Sequence, residues 1–164
     1  MKRQAFYSFN YREDSWRAGQ VRNMGLVDGN RPVTDNEWQD VSKGGDMAIK
    51  RWIDRQMEYR SVLIVLIGAN TAGRKWINYE ITHAWEKQMG ICGIYINRLL
   101  DMKGQMSMMG RSPFADFNLN GIPLSSIVPV LNPDGYTGQQ VYADINNRMS
   151  DLIEESIRIR SRYA

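Results

Sequence analysis

The chain holds one cysteine and one histidine among 164 residues. A lone thiol, Cys92, excludes an intrachain disulfide, and its place in an apolar run predicts a buried, inert side chain. One histidine and one cysteine argue against a zinc site made of protein ligands, so no metal is expected. Long apolar runs are also missing. None approaches the roughly 20 residues of a membrane-spanning helix, so no membrane partner is expected. The opening MKRQAFYSFN enters a strand pattern directly, without a signal-peptide core, which predicts a soluble cytoplasmic protein. Charge is nearly balanced: a net +3 and a pI near 9.1 suit an anionic small ligand but are too weak to argue for nucleic acid. Internal repeats, low-complexity segments and linkers are absent, and the length suits one domain over residues 1–164.

Several motifs are absent as well. There is no GxxxxGK[ST] phosphate loop, and the turn after the first strand reads SFNYRED where a dinucleotide fingerprint would need GxGxxG. That turn also lacks the hydroxyl- and glycine-rich character by which a flavodoxin holds phosphate. Gly68, Ala69 and Asn70 stand where a phospho-accepting receiver domain would need an aspartate, and no GxSxG elbow marks a hydrolase.

What the chain does have is Ser61–Met89, SVLIVLIGANTAGRKWINYEITHAWEKQM. The short β-branched run Ser61–Ile67 reads as a strand covered on both faces. It stops at Gly68, and Asn70 and Thr71 offer oxygens to cap the helix that follows. On that helix Ile77, Ile81, Ala84 and Gln88 share one line, while Asn78, Thr82 and Glu86 face solvent. Trp76 and Glu80 lie together at the margin of the buried stripe, where partial desolvation would raise the pKa of Glu80. Open parallel sheets bind ligands outside the carboxyl ends of their strands, near where this helix begins. By position alone Glu80 reads rather as an ordinary helix-flank carboxylate, since most such groups are solvated. His83, one turn on, reads as a surface or half-buried histidine.

The rest of the chain alternates in the same way. Gln4–Asn10 is a strand pattern, and Arg12–Asn23 a helix starting near Asp14 or Ser15, with Trp16, Val21 and Met24 as core candidates. Leu26–Gly45 is polar and irregular, with a short second strand near Pro32–Thr34. Asp46–Tyr59 is a helix with a stripe of Ala48, Ile49, Trp52, Ile53 and Met57. Ile91–Asn97 is a buried strand. Residues 98–124 have no clear period; their methionines, 102, 106, 108 and 109, suggest an adaptable excursion packed on the domain edge. Ile127–Leu131 is a last strand, at an edge because of Pro129. Thr137 and Gln140 form a capping box, and Val141, Ile145, Met149, Leu152, Ser156 and Ile157 a long helical stripe ending in a basic, solvated tail. The fold class is α/β: a flavodoxin-like three-layer fold, with a parallel five-stranded sheet in the order 2-1-3-4-5 and helices on both faces.

The segment Trp76-Ile77-Asn78-Tyr79-Glu80-Ile81 resembles the Trp-x-x-x-Glu helix signature of NAD-cleaving TIR domains. AFYSFNYRED resembles the opening TIR box, an aromatic-rich strand that ends in Ser-aromatic. Val21-Arg22-Asn23, Trp38-Gln39-Asp40, Asp46 to Ile53 and Leu66 to Ile81 are similar, in order and spacing, to the TIR-like subgroup of the bacterial Thoeris anti-phage system. The likeness spans about residues 4–97.

The resemblance implies catalysis on NAD as substrate, with no further cofactor. It gives Glu80 the catalytic glutamate position and a TIR-like fold to the whole. It implies substrate binding by Ser8, Phe9, Asn10, Tyr11, Trp38, Asp46 and Trp76. The aromatics Phe9 and Tyr11 would stack on a base, Asn10 would bond ribose or phosphate, and Trp76 would orient Glu80. Many animal TIR domains carry arginine near Asn10, so phosphate contact there departs from the pattern. Trp38 also reads as a half-buried loop aromatic and Asp46 as a helix N-cap. The implied output is a cyclic ADP-ribose-type signal that reaches a separate effector protein, with self-association of the enzyme. A nucleoside deoxyribosyltransferase-like enzyme and a non-catalytic TIR-type assembly module are the alternatives.

Overall fold

Strand-sized apolar runs and amphipathic helices alternate along the chain, and in the computed structural model, which describes residues 2–33 and 35–163, they form three layers. The sheet holds β1 (Gln4–Ser8), β2 (Asp28–Gly29), β3 (Val62–Ile67), β4 (Gly90–Tyr95) and, numbered in chain order, β7 (Val130–Leu131). Its order is β2-β1-β3-β4-β7 and every pairing is parallel, which is the predicted 2-1-3-4-5 arrangement. Ser8 pairs with Val65 and Ile67 with Tyr95, so the carboxyl ends of β1, β3 and β4 come to one side.

The period-two alternation of the strands divides the core. Ala5, Tyr7, Val62, Ile64, Leu66, Cys92 and Ile94 face α1 (Tyr11–Arg22) and α5 (Gly138–Ser161), through Ala18, Val21, Val141, Ile145 and Met149. Phe6, Leu63, Val65, Ile67 and Ile91 face α3 (Gly45–Met57) and α4 (Lys75–Glu86), through Ile49, Ile53, Met57, Ile77, Ile81 and Ala84. All six residues of β3 are buried, as its unbroken apolar run predicts. Thr137 and Gln140 form the expected capping box at the start of α5. Cys92 is buried.

Other expectations are corrected. The first strand stops at Ser8, because the side chain of Asn10 accepts the Glu13 N–H and caps α1, which therefore starts at Tyr11. Trp16 is 54% exposed and lies outside the core. The second strand is Asp28–Gly29; Pro32 and Val33 are not strand, and Thr34 lies outside the described residues. The segment read as irregular contains α2 (Asp35–Lys43), whose Trp38 and Val41 pack on the α3–α4 side of the core. Asn70 and Thr71 do not cap α4. Arg74 holds that position without a side-chain bond, while Thr71 Oγ1 accepts the Gly68 N–H at 2.7 Å and closes the loop. Gln88 falls beyond the end of α4 and is exposed, and Asn78 is only half exposed. Arg160 in the basic tail is buried over the Trp85 ring and donates to its carbonyl.

The excursion after β4 carries a hairpin, β5 (Asn118–Leu119) with β6 (Ile122–Pro123), and a 3₁₀ turn at Leu124–Ser126. Its four methionines are exposed rather than packed, Met108 by 82%. Phe114 is the fully buried anchor instead. It packs against Gly93 of β4, where an added Cβ would lie 3.0 Å from the Phe114 ring.

Candidate active site

Three backbone segments meet where β1 and β3 finish. Ser8 ends β1 with its side chain inside, 1% exposed. Asn10 follows as a buried cap whose amide is used at both ends. Its oxygen accepts Glu13 N–H at 3.3 Å, and its Nδ2 donates to the Asn70 carbonyl at 3.2 Å. That second bond ties the end of β1 to the loop after β3. Gly68 opens the loop because nothing larger fits: an added Cβ would stand 2.1 Å from Asp14 Oδ2 of α1.

Glu80 reaches this junction from the second turn of α4. The Ile77–Ile81–Ala84 stripe sets the face that α4 buries, and Glu80 lies on its flank, half-buried. Its carboxylate accepts a hydrogen bond from Ser8 Oγ at 2.7 Å. Burial pushes the carboxyl up to about 8, and the Ser8 hydrogen bond pulls the other way. Withdrawal from water disfavours the anion, and one hydroxyl donor offsets only part of that.

The remaining candidates fall into two groups. Phe9 and Tyr11 stack at 6.3 Å beside Ser8 and Asn10, with the Arg22 guanidinium 5.5 Å from the Phe9 ring. Tyr11 also donates its hydroxyl to the Val33 carbonyl at 2.5 Å. Trp38, Asp46 and Trp76 lie instead along the α2–α3–α4 side. Trp38 sits in a helix, half-buried and edge-on to Trp52 at 6.1 Å. Asp46 is in the first turn of α3, with Gly44 at the N-cap, so the capping role read for it is not the one it plays; it pairs with Lys75 at the start of α4. Trp76 packs edge-on to Tyr79 at 6.0 Å, and Tyr79 donates to Asp54 Oδ1 at 2.6 Å. His83 stacks on Tyr79 and lies 3.4 Å from the same Asp54 oxygen. These contacts tie α4 to α3 and set the angle at which Glu80 is presented.

Two features escaped the sequence reading. Asp14 is buried beside Arg17, and among the described residues its Oδ2 has no hydrogen-bond partner; burial raises its pKa, against the pull of Arg17. Arg17 in turn donates to the carbonyls of Leu99 and Gln105, bracing the end of β4 against α1. An Asp and an Arg three apart on a helix was the available signal, but that spacing is commonly a surface pair. The second feature is an open hollow of about 550 Å³ beside Asn70, walled by the loop after β3 and by the backbone near Gly110. Glu80 does not line it; Asn70, bonded to Asn10, stands between the hollow and the Ser8–Glu80 pair. Among the described residues no three His, Cys, Asp or Glu side chains gather to hold a metal ion.

The family model described as Thoeris protein ThsB, TIR-like domain, matches residues 6–101. A Bacillus cereus (strain MSX-D12) protein named "Putative cyclic ADP-D-ribose synthase ThsB1" is 32% identical over 166 aligned residues, covering 96% of this chain and 85% of the relative. With the sheet order, the inward glutamate and these two matches agreeing, the chain belongs to the Thoeris ThsB family of TIR-like domains.

Proposed function

We propose that this protein cleaves NAD, releases nicotinamide and closes the remaining ADP-ribose into a cyclic signal that reaches a separate effector in anti-phage defence. The observation that carries the reading is the Glu80 carboxylate, turned in from α4 onto Ser8 at the ends of the parallel strands. The bond between nicotinamide and ribose breaks with its electron pair leaving on the ring nitrogen. Neutral nicotinamide departs and positive charge develops on the sugar. A fixed carboxylate beside that sugar stabilises the charge most where water is scarce. A nucleophile within the same molecule then forms the new bond to the ribose carbon, and its proton passes to solvent. Phe9 and Tyr11 are the aromatics placed to stack on a base, and Ser8 positions the acid.

The raised pKa fits this chemistry. The free protein holds Glu80 largely protonated near neutral pH. A bound nicotinamide cation favours the carboxylate, so substrate itself draws out the charged form that the transition state needs.

The experiment is direct. Purified protein is incubated with NAD, nicotinamide is followed by chromatography, and the nucleotide product is weighed by mass spectrometry, with Glu80→Gln alongside. Release by the wild type, lost in the variant, and a product lighter than ADP-ribose by one water support the proposal. Linear ADP-ribose as sole product rejects the cyclising half. Inertness toward NAD even in the assembled state leaves the assembly-module reading.

A further inference from the structure

We propose that the hollow beside Asn70 is an anion site that takes the diphosphate of a dinucleotide through Arg74 and Arg111. The proposal rests on the NAD reading above and adds a second, separate set of contacts to it. The space is about 550 Å³, more than one phosphate fills and within the range of small-ligand sites. Two arginines, Arg74 and Arg111, line it, together with Asn70, Gly73 and Gly110.

The walls are built rather than incidental. At Gly110 an added Cβ would lie 2.3 Å from the Gly68 carbonyl oxygen, so the excursion after β4 presses bare backbone onto the loop after β3. Gly73 adopts a left-handed φ of +81°, and an added Cβ there would meet Arg111 Nη2 at 2.9 Å. Arg111 is thus laid against Gly73, and its Nη1 bonds Asp116 Oδ2 at 2.7 Å. This orients the side chain before any ligand arrives, which lowers the ordering cost of binding. The Arg111–Asp116 pair is solvent-exposed, so it offsets little of the attraction for a multiply charged anion.

Arg74, at the N-cap of α4, is the second lining cation. Among the described residues no carboxylate pairs with it. It precedes the 12-residue α4, whose first turn has no acidic residue and no side-chain cap. A planar guanidinium fork matches phosphate oxygens, and two such forks suit a diphosphate. The hollow is linked to the glutamate through bonded neighbours: Asn70 lines it, and its carbonyl accepts from Asn10, two residues past the Ser8 that bonds Glu80.

The test needs no chemistry. ADP-ribose, inorganic pyrophosphate and adenosine are titrated by calorimetry into the full chain, and into Arg74→Gln, Arg111→Gln and the double variant. Thermal melts confirm that each folds. Both arginines are exposed, so their loss leaves the core intact. The expected result is an ADP-ribose affinity at least about tenfold weaker in the double variant, with adenosine unchanged. Raising salt should weaken ADP-ribose binding to the wild type more than to the double variant. The proposal is overturned if the double variant binds ADP-ribose within about twofold of wild type, if adenosine loses affinity equally, or if the wild type binds pyrophosphate but not ADP-ribose. Because nicotinamide release plays no part, a chain that binds ADP-ribose through both arginines yet never cleaves NAD sinks the enzymatic reading and leaves this one standing.

Discussion

Glu80→Gln separates the charge of this side chain from its shape. The amide keeps the size of the carboxylate and still accepts from Ser8 Oγ, but it cannot titrate. In the wild type, burial lifts the carboxyl from 4.5 to about 8. The unfolded chain binds that proton only below about 4.5, whereas the folded chain keeps it until about 8. The stabilising contribution is therefore full at acid pH and is lost as pH rises through this window. The slope is about 1.4 kcal/mol per pH unit, and the whole span amounts to on the order of 5 kcal/mol. Urea unfolding of both proteins at intervals between pH 5 and 9 measures the difference. The variant should equal or fall slightly below wild type at pH 5 and exceed it by several kcal/mol near pH 8, of the order just derived. Asp14, also buried and raised, is present in both chains and cancels. Two stability curves that run parallel across that range would refute the inward, desolvated placement of Glu80. The same burial predicts that kcat/KM for NAD cleavage rises with pH toward a pKa near 8 in the free enzyme, and that Glu80→Gln is inactive at every pH.

Ser8→Ala removes the hydroxyl hydrogen bond to the Glu80 carboxylate, worth about 1.5–3 kcal/mol to the charged form, so the pH profile of kcat/KM should move to higher pH by about 1–2 units while the fold survives. Gly68→Ala drives a methyl group into Asp14 Oδ2; chemical denaturation should show a loss of about 2–3 kcal/mol, and the double change with Asp14→Ala should lose less than the two singles together. Phe114→Ala empties the site over Gly93 and should cost about 3–5 kcal/mol, with faster proteolysis between residues 98 and 124 as the second readout.

The roles of two polar side chains, one buried and one exposed, show why tertiary structure was needed. Asn10 is expected from its sequence position to be a ligand donor, and in the fold its amide also caps α1 and holds the Asn70 carbonyl. Nothing local distinguishes an asparagine that faces substrate from one that ties two loops together. Asp46 was read as a cap or a substrate contact, and it pairs with Lys75 across two helices. Likewise α2 escaped notice because nine residues are too few for a helix to stand alone, and its two large apolar side chains, Trp38 and Val41, gain their value by packing on the core.

Alternation of apolar strands with 3.6-residue stripes determined the layers and the flank on which Glu80 sits, because those periods act within one element; the sheet order followed from the handedness of the crossovers between successive strands. The order and spacing of several short motifs between residues 4 and 97, the Trp76–Glu80 pair among them, carried the family resemblance. Only the folded chain decided that Glu80 meets Ser8, 72 residues away in sequence, and that Asp14 fills the space which Gly68 leaves open. Such contacts depend on how three separate elements close on one another, and no period along the chain encodes that distance.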